Sequence, residues 1–356
     1  MLYFQSVKVN EMVADTTWGS MRSQICVIFP GALGDFVCFL PTLKALAVDN
    51  DVDLFARKEF ADLVPPGVCV RSLERYEITQ CFVAGSQRDE RVSEFFGSYG
   101  AIYSWHGNGQ PDFVRSLAAA SRNRAQVFPF RPSGNHIHQI DYYLSCIGVK
   151  EARSTPKICL RPEAIAWNEE YRQRHNINGK PLLVLAPGSG AREKHWPQEY
   201  FRAVAQWWRD TIPGNVIVLF GPVEEEHSEM AEAFSSFVIA RNLNLGQIAS
   251  LLASADVYLG NDSGVTHVAA AVGTRTIALF GPSDARQWAS RGENVTILTE
   301  NTQCSPCGPN VMKSCPHRQC LNTLNPKKVI AVLRLQTTIA NLTRGVAGIT
   351  VCCEIS

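Results

Sequence analysis

The chain has 356 residues, 46% of them hydrophobic, and a formal charge of +1. That length points to two domains rather than one continuous core, and the near-neutral charge argues against a large nucleic-acid footprint. No apolar run reaches membrane-spanning length and no secretory signal is evident, so an integral helical span and an exported precursor are not expected.

The opening Met-Leu-Tyr-Phe-Gln-Ser looks like the remnant of a protease-cleavable tag, and residues 1–20 carry no pattern. A short apolar strand is expected over 25–29, followed by a glycine-bearing turn over 30–35 and an apolar helix over about 36–47. Further strands are expected over 52–56, 78–83 and 101–105, with helical patterns over 92–96, 112–120 and 138–147. Alternation of this kind marks a doubly wound α/β domain.

A proline- and charge-bearing connector with a helix over 162–175 follows, and then the alternation resumes. Strands are expected over 182–186 and 216–220 and helices over 197–208, 224–237 and 245–253; residues 257–281 then read as strand, polar turn, small-residue helix, glycine and a second apolar strand, and 325–342 as a final amphipathic helix. The division is therefore a lead over 1–20, a first Rossmann-like domain over 21–158, a linker over 159–178, a second Rossmann-like domain over 179–325, and a terminal helix and tail over 326–356. Such folds bind ligands at the carboxyl ends of their strands, so an interdomain cleft is the expected pocket.

The turn most suggestive of chemistry is Asn261-Asp262-Ser263-Gly264, with His267 one helical turn further on. It lies between a buried strand and a helix rich in small residues, where unpaired helix amides and the helix dipole favour an anion such as a phosphate. Asp or Ser alone suffices for a plain N-cap, whereas this turn carries more polar groups than a cap requires.

Gly31-Ala-Leu-Gly34-Asp35 lacks the third glycine of a dinucleotide fingerprint, which counts against NAD. Asp35 reads either as a helix cap or as a general base facing the cleft. Gly188-Ser189-Gly190 permits close backbone approach to a phosphate, and Lys194 is either a solvated surface lysine or the cation that neutralises a departing diphosphate. Glu224 reads equally as an acidic helix start or as a contact to a ribose or base. Trp105, His106 and Asn108 close a first-half strand and, with Arg131, His136 and His138, are candidates for an acceptor pocket, although each histidine alone is more often structural.

Of the twelve cysteines, four form the pattern Cys304-x2-Cys307-x7-Cys315-x4-Cys320. That spacing is compatible with structural zinc or iron, with His317 as a substitute ligand, equally with reduced structural thiols, and less readily with disulfides. It is not an expected centre of catalysis.

Taken in order, these turns resemble glycosyltransferase family nine, the lipopolysaccharide heptosyltransferases. The resemblance rests chiefly on Pro-Gly-Ser-Gly…Lys194-x-Trp-Pro, Asn-Asp-Ser-Gly-x-x-His267 and the following Ala-Leu-Phe-Gly-Pro-Ser, and runs from about residue 25 to 342. It implies a GT-B fold, with acceptor on the first domain and nucleotide sugar on the second. It also implies Asp35 as catalytic base and Gly188, Ser189, Gly190, Lys194, Glu224, Asp262, Ser263, Gly264 and His267 as donor contacts. Gly34, Trp105, His106, Asn108, Arg131 and His138 are the acceptor-side candidates, where the match to the family is loosest.

The implied reaction is inverting transfer of a sugar, heptose from ADP-heptose being favoured, to a hydroxyl of lipopolysaccharide core or another glycan or lipid-linked acceptor. Lys194 and the helix dipole supply the positive field, so the chemistry requires no divalent metal. A cytoplasmic protein is implied, able to touch the inner face of the cytoplasmic membrane. Two alternatives remain: a relative acting on a protein or small-molecule acceptor, and a non-catalytic nucleotide-sugar-binding module. A third, remoter reading is a protein organised by metal at the cysteine cluster.

Overall fold

The structure is a computed structural model that describes residues 22–85, 89–134, 137–150, 153–177, 179–221, 228–300 and 302–343. The first sheet comprises β1 (Ser23–Ile28), β2 (Asn50–Ala56), β3 (Val68–Ser72), β4 (Ala101–Ser104) and β5 (Ala125–Val127), in the order β3-β2-β1-β4-β5. The second comprises β6 (Leu182–Ala186), β7 (Asn215–Leu219), β8 (Val238–Ala240), β9 (Val257–Asn261), β10 (Thr276–Phe280) and β11 (Val295–Thr299), in the order β11-β10-β9-β6-β7-β8.

Every recorded strand pair is parallel, with β1 and β2 matched Ile25 to Val52 and β6 and β9 matched Val184 to Tyr258. Helices cover both faces of such sheets, so the central strands read as continuous apolar runs; β6, β9 and β10 are buried at every position.

Strand order reverses between β1 and β4 in the first sheet, and between β9 and β6 in the second. At such switch points the connections diverge to opposite faces and leave a crevice at the carboxyl ends. The four turns after β1, β4, β6 and β9 therefore open at the two crevices, and they carry Gly34 and Asp35, Trp105 to Asn108, Gly188 to Lys194, and Asp262 to Gly264.

The domains meet through the helices that follow β1 and β9. Leu33–Leu46 packs on Gly264–Ala271, and one apolar cluster runs through both domains, including Phe36, Leu40, Val268 and Ala269. The close approach requires glycine: a Cβ on Gly264 would lie 2.8 Å from Leu33 Cβ and 3.0 Å from the Gly34 amide nitrogen. On the far side of the junction Arg291 makes a bidentate contact with Asp141, at 2.6 Å for both oxygens.

The sequence reading is corrected at residues 78–83, where a strand was expected. Tyr76–Gln80 is a short helix, with Ile78 and Cys81 buried at helical spacing and Glu77 tied to Arg75 and Arg91. The strand that occupies the sheet edge is β3. The short strands β5, β8 and β11 were likewise not anticipated. The connector helix, Pro162–Arg174, packs on Leu245–Ala253 and so adheres to the second domain. The last helix, Pro326–Thr343, buries Val329 and Leu333 in the second domain's core. Among the described residues, no helix is long and apolar enough to cross a membrane.

Candidate active site

A cavity of about 730 Å³ lies between the domains and is lined by Gly34, Asp35 and Arg131 from the first and by Gly190, Lys194, Asp262, Ser263, Gly264 and His267 from the second. Two helix N-termini, at Leu33 and Gly264, meet here. At the second, Ser263 is the N-cap in extended conformation but makes no capping hydrogen bond; its hydroxyl lies 3.2 Å from Thr266 Oγ1. The first-turn amides of this helix are thus left to whatever enters the cavity.

Lys194 reaches the cavity from a short turn after β6, and its Nζ is 2.6 Å from Asp262 Oδ2. The cation is therefore already oriented by a carboxylate that is almost fully buried. The framework behind it is Asn261, fully buried, which the sequence places in this turn without assigning it a role. Its Nδ2 donates to the Pro187 carbonyl at 2.7 Å, and its Oδ1 accepts from the Trp196 amide at 3.0 Å. One side chain thus pins both ends of the segment that carries Gly188, Ser189, Gly190 and Lys194.

Ser189 is buried and its hydroxyl donates to Ala191 O at 2.7 Å, so this turn is held shut by its own serine. The Ser189 amide donates to His195 Nε2 at 3.1 Å, a second bracing contact that sequence reasoning missed. Gly188, Ser189 and Gly190 line a smaller adjoining nook of about 270 Å³ with Leu219, Phe220, Ile248 and Val265.

On the facing domain, Asp35 sits in the first turn of the Leu33–Leu46 helix. Its Oδ2 accepts from the Ala32 amide at 3.3 Å, while Oδ1 accepts from Arg131 Nη1 at 2.6 Å. The cap and the cleft-facing carboxylate, alternatives on the sequence, are two oxygens of one group.

His267 is 5% exposed, and burial holds its imidazole below the usual pKa against the opposing pull of Asp262 and Asp35.

The remaining acceptor candidates separate into two groups. Trp105, His106 and Asn108 do not line the main cavity; with Phe82 and Phe130 they line a second one of about 460 Å³ on the first domain. Trp105 is buried among Phe39, Phe128 and Tyr143, and Asn108 Nδ2 donates to Val127 O at 3.3 Å. Burial lowers the pKa of His106. His138 has both ring nitrogens engaged. Nδ1 accepts from the Ile140 amide at 3.2 Å and Nε2 bonds Ala289 O at 2.8 Å, which makes His138 a clasp between the domains. Glu224 and His136 lie outside the described residues.

The cysteines Cys304, Cys307, Cys315 and Cys320 surround one small cavity with His317, and all four are free thiols. Cys315 Sγ is 3.8 Å from His317 Nδ1, and Cys307 Sγ donates to Cys304 O at 3.0 Å. Among the described residues, no three such side chains converge closely enough to hold an ion as they stand. Cys307 and Met312 also line the main cavity, so this segment forms part of its wall.

Comparison with known proteins follows the same lines. Residues 145–316 match the sequence profile of glycosyltransferase family 9 (heptosyltransferase). The lipooligosaccharide heptosyltransferase 2 of Campylobacter jejuni is 32% identical over 165 residues, 43% of this chain and 50% of that protein. The chain spans about half the length of the curated relatives it matches.

Among solved structures, a family 9 glycosyltransferase from Veillonella parvula superposes with a TM-score of 0.72 at 18% identity, covering 89% of this chain and 98% of its own. The Escherichia coli ADP-heptose lps heptosyltransferase II superposes with a TM-score of 0.63 at 17% identity, covering 89% and 99%. These likenesses establish the two-domain GT-B fold. Over residues 145–316 the chain is similar in sequence to glycosyltransferase family 9 (heptosyltransferase), and over most of its length it shares the fold of solved family 9 structures.

Proposed function

We propose that the protein is an inverting glycosyltransferase that moves a sugar from a nucleoside diphosphate to an acceptor hydroxyl across the interdomain cavity. The observation that carries the reading is the meeting of two helix starts at Gly34 and Gly264, which brings Asp35 and the Lys194–Asp262 pair onto one cavity from opposite domains.

In this reading the donor diphosphate lies between Lys194 and the open amides at Ser263 and Gly264. The nucleoside enters the nook lined by Leu219, Phe220, Ile248 and Val265. Asp35 takes the acceptor's hydroxyl proton as that oxygen bonds to the anomeric carbon. The bond from that carbon to the diphosphate breaks, and the diphosphate leaves with the electron pair. Attack from the side opposite the leaving group inverts the anomeric configuration.

ADP-heptose is the favoured donor, because the curated relatives bear heptosyltransferase names and the Escherichia coli neighbour is named for that sugar nucleotide. The favoured acceptor is a hydroxyl of lipopolysaccharide core or a related lipid-linked glycan, met in the cytoplasm at the inner face of the membrane. The test is product formation from ADP-heptose against UDP- and GDP-sugars, with a lipid A–core acceptor. Transfer from ADP-heptose alone supports the full reading. Binding of ADP without transfer to any acceptor favours the non-catalytic module.

The cysteine segment has a second proposed role, as a structural site for zinc or iron. Its thiols and one imidazole are the ligand set that suits these ions, but the side chains must rotate inward to converge. Metal analysis of protein purified without chelators checks this: stoichiometric zinc or iron that Cys307→Ser and Cys320→Ser remove supports it, and a metal-free protein contradicts it.

A further inference from the structure

Cys38 is a fully buried thiol one helical turn beyond Asp35 on the Leu33–Leu46 helix. Its Sγ lies 3.6 Å from Nδ1 of His267, which belongs to the opposite domain. We propose that Cys38 is a positioning residue of the donor site: its S–H donates to His267 Nδ1, fixing the hydrogen on Nε2 and directing that N–H into the cleft toward the donor diphosphate.

The polarity follows from the surroundings of both groups. Burial, reinforced by nearby Asp35, pushes the Cys38 thiol well above its ordinary range, so it keeps its hydrogen at neutral pH. Burial likewise keeps His267 neutral, with one ring hydrogen to place. If Nδ1 accepts from the thiol, that hydrogen is on Nε2. The reverse arrangement would present a bare Nε2 lone pair to phosphate oxygens, two acceptors face to face.

The other edge of the ring, Cδ2–Nε2, faces Gly34, where a Cβ would stand 3.4 Å from Cδ2 and 3.7 Å from Nε2. His267 itself lines the main cavity. A Cβ at position 34 would rest in ordinary van der Waals contact with the Cδ2–Nε2 edge, while Cys38 anchors the opposite edge. The arrangement also ties the base-bearing helix to the donor side, since one face of the same helix carries Asp35 and Cys38.

The proposal rests on the donor-site reading above, so its test has one arm that is independent of it. Ring nitrogen NMR of ¹⁵N-histidine-labelled protein, with His267→Gln to assign the signal, reads the tautomer in the free protein. Nε2 protonated and Nδ1 unprotonated is expected; a protonated Nδ1 overturns the proposal.

The second arm is ADP affinity by calorimetry. Cys38→Ala should weaken ADP binding roughly threefold to tenfold, because Nδ1 loses its donor and the ring its orientation. Cys38→Ser, which keeps a donor at nearly the size of alanine, should stay within about twofold of the parent. Equal affinities in the parent and Cys38→Ala overturn the proposal. If ADP fails to bind the parent protein, the donor-site reading falls, and the NMR arm still decides what Cys38 does to His267.

Discussion

Arg131 donates to Asp35 at 2.6 Å, and its guanidinium carbon lies 4.3 Å from the Phe130 ring centroid and 4.5 Å from that of Trp288. Trp288 belongs to the second domain, so one cation links the proposed base to the facing wall of the cleft. Arg131 is half-exposed and its ring contacts are individually modest, so its value lies in orienting the carboxylate rather than in stability. Arg131→Ala should lower kcat roughly tenfold to hundredfold through a misplaced base. The dissociation constant for ADP should be unchanged. Arg131→Lys should recover only part of kcat, because lysine keeps the charge but not the planar stacking. A loss confined to ADP affinity would assign Arg131 to the donor side instead.

Lys194 and Asp262 should prove unequal partners. Lys194→Ala removes the cation proposed to meet the diphosphate, and ADP affinity should fall about tenfold to hundredfold. Asp262→Asn leaves Lys194 charged but less firmly held, so a smaller loss is expected. Calorimetry on both variants checks the order, and a larger effect for Asp262→Asn would reverse the roles.

Asn261 is the keystone of the turn proposed to hold the donor. Asn261→Ala leaves the Trp196 amide and the Pro187 carbonyl without their buried partner, a cost of about 2–4 kcal/mol. Urea unfolding should show that loss of stability together with weaker ADP binding. Intact stability would mean the turn is held by its own contacts, such as Ser189 to Ala191.

Much of this site is written in local sequence because its chemistry demands particular residues at strand ends. A phosphate-accepting turn needs small residues and unpaired amides, so Gly188-Ser189-Gly190 and Asp262-Ser263-Gly264 stand out without structural knowledge. The long central strands were equally legible, since parallel strands buried on both faces are simple apolar runs. Residues 78–83 misled because a short amphipathic turn of helix offers too few residues to separate its period from that of a strand. The partner of Asp35 lies 96 residues away and that of Asp141 lies 150 away. Such pairs have no local signature, which is why Arg131 was placed only loosely and His138 was assigned to an acceptor rather than to the domain clasp. Asn261 and Cys38 escaped for a related reason: the direction of a side chain off a strand end or helix decides their roles, and spacing alone does not give it.

The clasp at His138 predicts a pH dependence. Burial, the largest cause, brings its pKa down from 6.5 to about 4. Between those values the unfolded chain binds a proton that the folded protein refuses, so stability is full above about 6.5 and declines as pH falls toward 4. The decline attributable to this residue should be on the order of 1–3 kcal/mol. His138→Asn, which retains a capping side chain, should flatten that part of the urea-stability profile between pH 7 and pH 4.5. An unchanged slope would place the titration elsewhere.

The most direct test of the central claim, that Asp35 is the base of a transfer reaction whose donor is held by the opposite domain, is Asp35→Asn assayed for both transfer and ADP binding. Asparagine keeps the size and the contact to the Ala32 amide but cannot take a proton. Transfer should fall by at least about a hundredfold, the usual scale of general base catalysis, while the ADP dissociation constant stays within about twofold. Undiminished transfer with intact ADP binding would contradict the assignment.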